Sequence, residues 1–165
     1  MKKQIPTTQT ASNIQKVMQL LEETPGRLER LRHGLSDQQL HEPLGSGERS
    51  STEVLAHLIN TEVLTSEAIY LALLTDEPLL IDVHAERDLG KLLRFDLFSF
   101  AELMAYFRLR RTVLLRVLNS LTEEKWSRCI REARKQRKES VYWRARGMAL
   151  HEWEHLQDLE TKLNH

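Results

Sequence analysis

A single cysteine among 165 residues rules out any internal disulfide framework, and Cys129 on its own fits a reducing compartment. Glycine is scarce at six and proline at four. They gather between the apolar periodic segments, which argues against many short strands and tight turns and for helices. Net charge is lacking too, since 24 Lys and Arg balance 24 Asp and Glu. No global field therefore draws in nucleic acid or an anionic membrane. No apolar run after Met1 is long enough for a signal peptide, and none could span a bilayer. A single cytoplasmic domain is expected, because this length can bury one sizeable core.

Residues 1–11 are polar and without period, and read as a flexible N-terminal arm ahead of a bundle domain over 12–165. Helix one is expected from Ser12 to Leu35, with a kink or break at Pro25-Gly26. Ser36 and Gln39 have capping-box spacing, with Leu35 and Leu40 placed as a hydrophobic staple. A second box, Ser50 and Glu53, opens helix two, which should run to Thr75 with Val54, His57, Leu58, Thr61, Leu64, Ala68 and Leu71 on one face. Glu53, Asn60 and Glu67 recur on a more polar side. From Asp76 to Leu97 the period is lost, and this stretch reads as a crossover along the bundle.

A third box, Ser99 and Glu102, opens helix three, which should end near Asn119 and carries Arg110 on its apolar face. Thr122 to Trp126 reads as one extra turn. Arg128, Arg131, Arg134, Lys135, Arg137 and Lys138 crowd an exposed connection, and helix four takes the rest from Ser140 to Leu163. Four amphipathic helices with one long connection make an all-α, four-helix bundle.

Of seven histidines, three fall where a bundle aims side chains inward. His151 and His155 are spaced i, i+4 and stack on one face of helix four. His57 lies in the apolar stripe of helix two, where a ring nitrogen needs a partner. If helices two and four are neighbours, the three imidazoles can meet around one divalent ion and leave a position open. Each signal alone has a plain alternative: the pair can be a surface coincidence, and a lone core histidine is more often simply hydrogen-bonded. It is the combination that points to a metal.

His151-Glu152-Trp153-Glu154-His155 also spells H-E-x-x-H, in which Glu152 would be the general base of a metalloprotease. Only ten residues follow His155, Asp158 and Thr161 stand where the extended pattern wants glycine and histidine, and no sheet is evident. A di-iron bundle fails as well, because Val54 stands where a second Glu-x-x-His motif needs its glutamate.

The strings T-P-G-R-L-E-R-L (24–31), G-L-S-D-Q-Q-L (34–40), S-S-T-E-V-L-A-H-L (50–58), F-R-L-R-R-T-V-L-L-R-V-L-N-S-L-T (107–122) and H-E-W-E-H-L (151–156), in that order and spacing, resemble the DinB superfamily of DinB/YfiT-like metalloenzymes, its DinB_2 branch in particular. That resemblance implies an up-down-down-up four-helix bundle with a long crossover between helices two and three. It implies one divalent metal, zinc or nickel, on His57, His151 and His155. It also implies a homodimer and chemistry in which a low-molecular-weight thiol attacks an electrophilic substrate as a transferase reaction. The alternative is a non-catalytic metal-binding or stress-response bundle.

Two departures stand out. Arg49 precedes the serine of helix two where the family often has tryptophan, and the arginine-rich link 128–138 replaces a shorter, less charged one. Glu53, one turn before His57, is a candidate to orient that ring or merely a helix cap. Arg110 is a candidate to hold an anionic substrate or, equally, half of a buried ion pair. For the basic link a solvated loop is the expectation and nucleic acid is not an expected partner, since no aromatics interleave the charges.

Overall fold

A computed structural model describes residues 4–133, 135 and 137–163. Residues 1–3 of the expected arm, Arg134 and Gln136 of the basic link, and residues 164–165 lie outside them. Helix α1 (Ala11–Leu31) starts at Thr10, whose hydroxyl accepts the Asn13 N–H at 3.1 Å. Just upstream, Ile5 is buried in the core, its carbonyl accepts from Arg146 Nε at 2.6 Å, and the Pro6 carbonyl accepts from the Tyr142 hydroxyl at 2.7 Å. Ile5 and Pro6, read as part of an arm, are thus docked on the bundle.

Pro25 does not break α1. It removes one N–H, and so frees the Leu21 carbonyl four residues back; Arg111 Nη1 donates to that carbonyl at 2.8 Å. The helix instead ends at Leu31, before the expected Leu35, and Gly34 turns the chain at φ 82°, a conformation open to glycine.

The three capping boxes form as their spacing predicts. Ser36 with Gln39 opens α2 (Asp37–His41), Ser50 with Glu53 opens α3 (Ser51–Leu74), and Ser99 with Glu102 opens α5 (Phe100–Asn119). Between α3 and α5 lie a short strand β1 (Leu79–Leu80), a π-helical turn (Ala85–Gly90), one turn of α-helix α4 (Lys91–Leu93) and a 3-10 turn (Phe95–Leu97). After α5 come the single turn α6 (Glu123–Trp126), strands β2 (Cys129–Glu132) and β3 (Lys138–Ser140), and α7 (Val141–Leu163).

Helix directions follow from the contacts at their ends. The start of α1 touches the start of α7 through Ile5 and Arg146, and its end meets the end of α7 through a two-armed Arg27–Glu160 pair at 2.7 Å, so α1 and α7 are parallel. Both α3 and α5 begin beside α2: Thr52 Oγ1 donates to the Leu40 carbonyl at 3.0 Å, and Phe100 N donates to Asp37 Oδ1 at 2.9 Å. The end of α7 returns to the start of α3, where Lys162 pairs with Glu48 at 3.0 Å. The Arg108–Glu29 pair, at 3.3 Å, sets the first half of α5 against the end of α1. The four long helices therefore run up, down, down, up. Parallel α3 and α5 require the segment between them to return along the bundle.

The sheet was not anticipated. β2 and β3 pair antiparallel and β1 joins β2 in parallel, so the basic link forms a hairpin within a small three-stranded sheet rather than a solvated loop. Ile130, buried on its inner side, anchors it to the core. Its cations are engaged: Arg128 donates from Nε to the Ala72 carbonyl at 2.5 Å and from Nη2 to the Thr75 carbonyl at 2.7 Å, closing the end of α3. Lys138 pairs with Glu77, and Lys135 with Glu132 and the buried Glu139.

The face expected of α3 is also rotated. Leu71 is exposed and Asn60 buried, because α3 packs against α5, α7 and the returning segment at once. A polar belt divides the core. One apolar cluster holds Val17, Leu21, Ile69, Leu114 and Tyr142, and a second holds Leu28, Leu55, Phe100, Phe107 and Leu156. Between them lie Thr24, Glu62, Ser66, Arg111 and Glu152, all buried.

Candidate metal centre

α3 and α7 bring His57, His151 and His155 together, with one ligand atom from each within 4.8 Å of the others. His57 Nε2 lies 3.1 Å from His151 Nε2, and His155 Nε2 lies 3.2 Å from the same atom. The rings meet edge to face, with centroids 4.6–5.0 Å apart. Imidazole nitrogens hold divalent ions such as zinc at about 2.0–2.1 Å, and tetrahedral angles then set ligand nitrogens roughly 3.3–3.4 Å apart. Two of the three spacings lie close to that value and the third pair is within 4.8 Å, and a purely imidazole donor set suits zinc, nickel or ferrous iron.

The opposite nitrogen of His57, Nδ1, lies 2.6 Å from Glu86 Oε1. An ionised carboxylate only accepts, so Glu86 keeps a proton on Nδ1 and leaves the Nε2 lone pair facing the other two rings. The π-helical turn positions Glu86, and His84 caps that turn by accepting the Glu86 and Arg87 N–H groups at 3.2 and 3.1 Å. Burial, aided by the charges of His155, His57 and Arg49, pulls the His151 ring down to about 4. Burial, with His57 and Arg49, lowers His155 as well. Both rings are therefore neutral near pH 7, the form that binds a metal.

A cleft of about 400 Å³ opens beside His57, lined among others by Arg49, Glu53, Asn60, Glu86, Lys91 and Arg94. A second, about 260 Å³, reaches His155, and Arg49 lines both. Arg94 turns the chain at the wall of the first at φ 49°, a left-handed conformation uncommon outside glycine, and its guanidinium grips Asp96 with two bonds.

The other candidates fall elsewhere. Glu53 caps α3, its Oε2 accepting the Ser50 N–H at 2.7 Å, so the partner of His57 is Glu86 instead. Glu86 sits in a stretch without periodicity, where spacing gives no signal. Arg110 is half of an ion pair, donating to the buried Glu62 at 2.5 Å and to Ser66 Oγ at 2.8 Å. Glu152 of the H-E-x-x-H string is 1% exposed and held by Arg111, while Glu154 faces solvent. Cys129 lies in β2, beside the apolar cluster remote from the rings.

Comparison with known proteins agrees with this architecture. A solved structure, YfiT from Bacillus subtilis, described as "a probable metal-dependent hydrolase with an unusual four-helix bundle topology", superposes with a TM-score of 0.84 at 16% identity, covering 98% of this chain and 91% of that one. Among curated proteins, none matches. The family model of the DinB superfamily matches residues 20–159. With that match spanning most of its length, the chain belongs to the DinB superfamily.

Proposed function

We propose that the protein is a divalent-metal-dependent enzyme whose metal is held by His57, His151 and His155, and that it transfers a low-molecular-weight thiol to an electrophilic small molecule. The observation that carries the metal site is the convergence of three Nε2 atoms beside an open cleft, with Glu86 behind His57. A divalent ion there would supply Lewis acidity at its open position, lowering the pKa of a thiol or water bound to it. The chain's own part is positional. Glu86 fixes the tautomer of His57, the fold holds His151 and His155 neutral, and the Arg111–Glu152 pair braces α7 between the two ligands it carries. Cys129 lies away from the site, so the attacking sulfur would come from the co-substrate.

Elemental analysis of protein purified without a histidine tag tests the site. One metal per chain is expected in the wild type, and none in His57→Ala or His155→Ala. A metal-free wild type, or variants that keep the ion, overturns it. Turnover of a generic electrophile with a panel of thiols, against metal-free protein, tests the reaction. A second reading, hydrolysis, draws on the likeness to YfiT, and predicts metal-dependent turnover that needs no thiol. The alternative of a non-catalytic metal-binding bundle predicts a bound metal and no turnover with either.

A homodimer belongs to the same proposal. Tyr106, Leu109 and Val113 form an exposed apolar line on α5 that a second copy could cover, and light scattering on the eluted protein reads its mass.

A further inference from the structure

The cleft beside His57 carries three acids and three cations, yet its charges are not balanced in use. Each acid is committed: Glu53 to the Ser50 N–H at 2.7 Å, Glu86 to His57 Nδ1 at 2.6 Å, and Asp96 to both arms of Arg94 at 3.0 and 2.9 Å. Arg94 is thereby committed too. Arg49 and Lys91 hydrogen-bond to none of these acids. The Arg49 guanidinium comes no nearer than 3.7 Å to Glu86 Oε2, beyond hydrogen-bond reach, and its side chain is 45% exposed. Lys91 is exposed, and its ammonium has no acid partner among the described residues.

Arg49 also lines the second cleft together with His155, so it stands between the two openings that flank the histidines. A guanidinium with free donors is a planar fork that matches a carboxylate, and it is always charged. At the edge of both clefts, it is placed to meet an anionic group on a ligand lying in either.

We propose that Arg49, seconded by Lys91, binds the carboxylate of a small-molecule ligand whose other end reaches the histidine centre. This rests on the metal reading above and adds the substrate class to it: a thiol acid rather than a neutral or cationic thiol.

The experiment uses protein loaded with Co²⁺, titrated separately with 3-mercaptopropionate, 2-mercaptoethanol and cysteamine, and followed by the sulfur-to-cobalt absorption band. The quantity read is the affinity ratio of the thiol acid to the neutral thiol, compared between variants so that intrinsic thiol differences cancel. Relative to wild type, Arg49→Ala should lower that ratio about tenfold, Lys91→Ala by less, and Arg49→Lys should retain part of it. A ratio unchanged in Arg49→Ala and Lys91→Ala overturns the proposal. If no cobalt binds, it is the metal reading that fails. The carboxylate site is then decided on metal-free protein, where 3-mercaptopropionate should shift the Arg49 Nε–H resonance saturably, and no shift overturns it.

Discussion

Arg111 and Glu152 form a two-armed ion pair wholly inside the bundle, at 2.5 and 3.0 Å, with both residues 1% exposed. The same guanidinium satisfies the Leu21 carbonyl that Pro25 leaves without an intrahelical donor. One side chain on α5 thus ties α1 to α7 in the middle of the polar belt. The glutamate of the H-E-x-x-H string is consumed by this tie, turned from the face that carries His151 and His155.

Removing either partner leaves a buried charge without its counter-charge, at a cost of about 3–5 kcal/mol. Arg111→Ala and Glu152→Ala should each lower the urea midpoint of the metal-free protein by a corresponding amount, with Glu152→Gln less harmful because its amide oxygen still accepts. A general base would behave in the opposite way. If Glu152→Gln unfolds at the wild-type midpoint and abolishes turnover, the structural assignment is wrong.

Glu86 makes a separable prediction. A carboxylate behind a metal-binding histidine typically contributes about 10–100-fold in metal affinity. Glu86→Ala should therefore weaken binding of the metal by that order, measured by competition with a chelator of known affinity. Glu86→Gln should recover much of the loss, since its amide oxygen can accept the same Nδ1 proton. Its partly exposed position means that folding stability should move far less than metal affinity in either variant. Equal metal affinity in wild type and Glu86→Ala would show that the 2.6 Å contact does not support the site.

Much of this was legible in the residues, for identifiable reasons. The capping boxes at Ser36, Ser50 and Ser99 are local devices whose donors and acceptors lie three residues apart, and all three form. The spacing of His151 and His155 fixes their shared face whatever else the chain does. His57 needed one tertiary assumption, that α3 and α7 are neighbours, and they are. Glu86 was not legible as the partner of His57, because its position depends on how the returning segment lies across α3. The small sheet escaped for the same reason: β1 has only two residues and meets β2 across some fifty positions of chain. Pro25 misled in a more instructive way. It does remove a hydrogen bond from α1, but the compensating donor lies on another helix.

The basic link gives a third prediction. Its described cations are spent within the protein: Arg128 on the last carbonyls of α3, Arg131 on the Glu77 carbonyl, Lys135 and Arg137 on Glu139, and Lys138 on Glu77. Each hydrogen bond from a charged group is worth about 1.5–3 kcal/mol where it is shielded from water, and less where exposed. Arg128→Ala should therefore destabilise the protein by about 1–3 kcal/mol in thermal or urea unfolding, while duplex and single-stranded oligonucleotides at physiological salt should show no saturable binding to the wild type. Tight, salt-sensitive binding would mean that these side chains leave their partners for phosphate.

Glu132 supplies the pH dependence. Burial alone would raise its carboxyl, but the Lys135 hydrogen bond and the Arg144 charge and hydrogen bond outweigh that and hold it below the usual value of 4.5. A depressed carboxyl binds its proton more weakly in the folded state than in the unfolded chain. Its contribution is fully present above pH 4.5 and fades as the pH falls through the lower folded value, where the unfolded chain has already taken up the proton. The difference in unfolding midpoint between wild type and Glu132→Gln should accordingly be constant from pH 7 to pH 5 and shrink below pH 4. Measuring both proteins metal-free removes the histidine centre from the comparison. A difference that grows on acidification would mean that burial, and not the two cations, sets the charge state of this carboxylate.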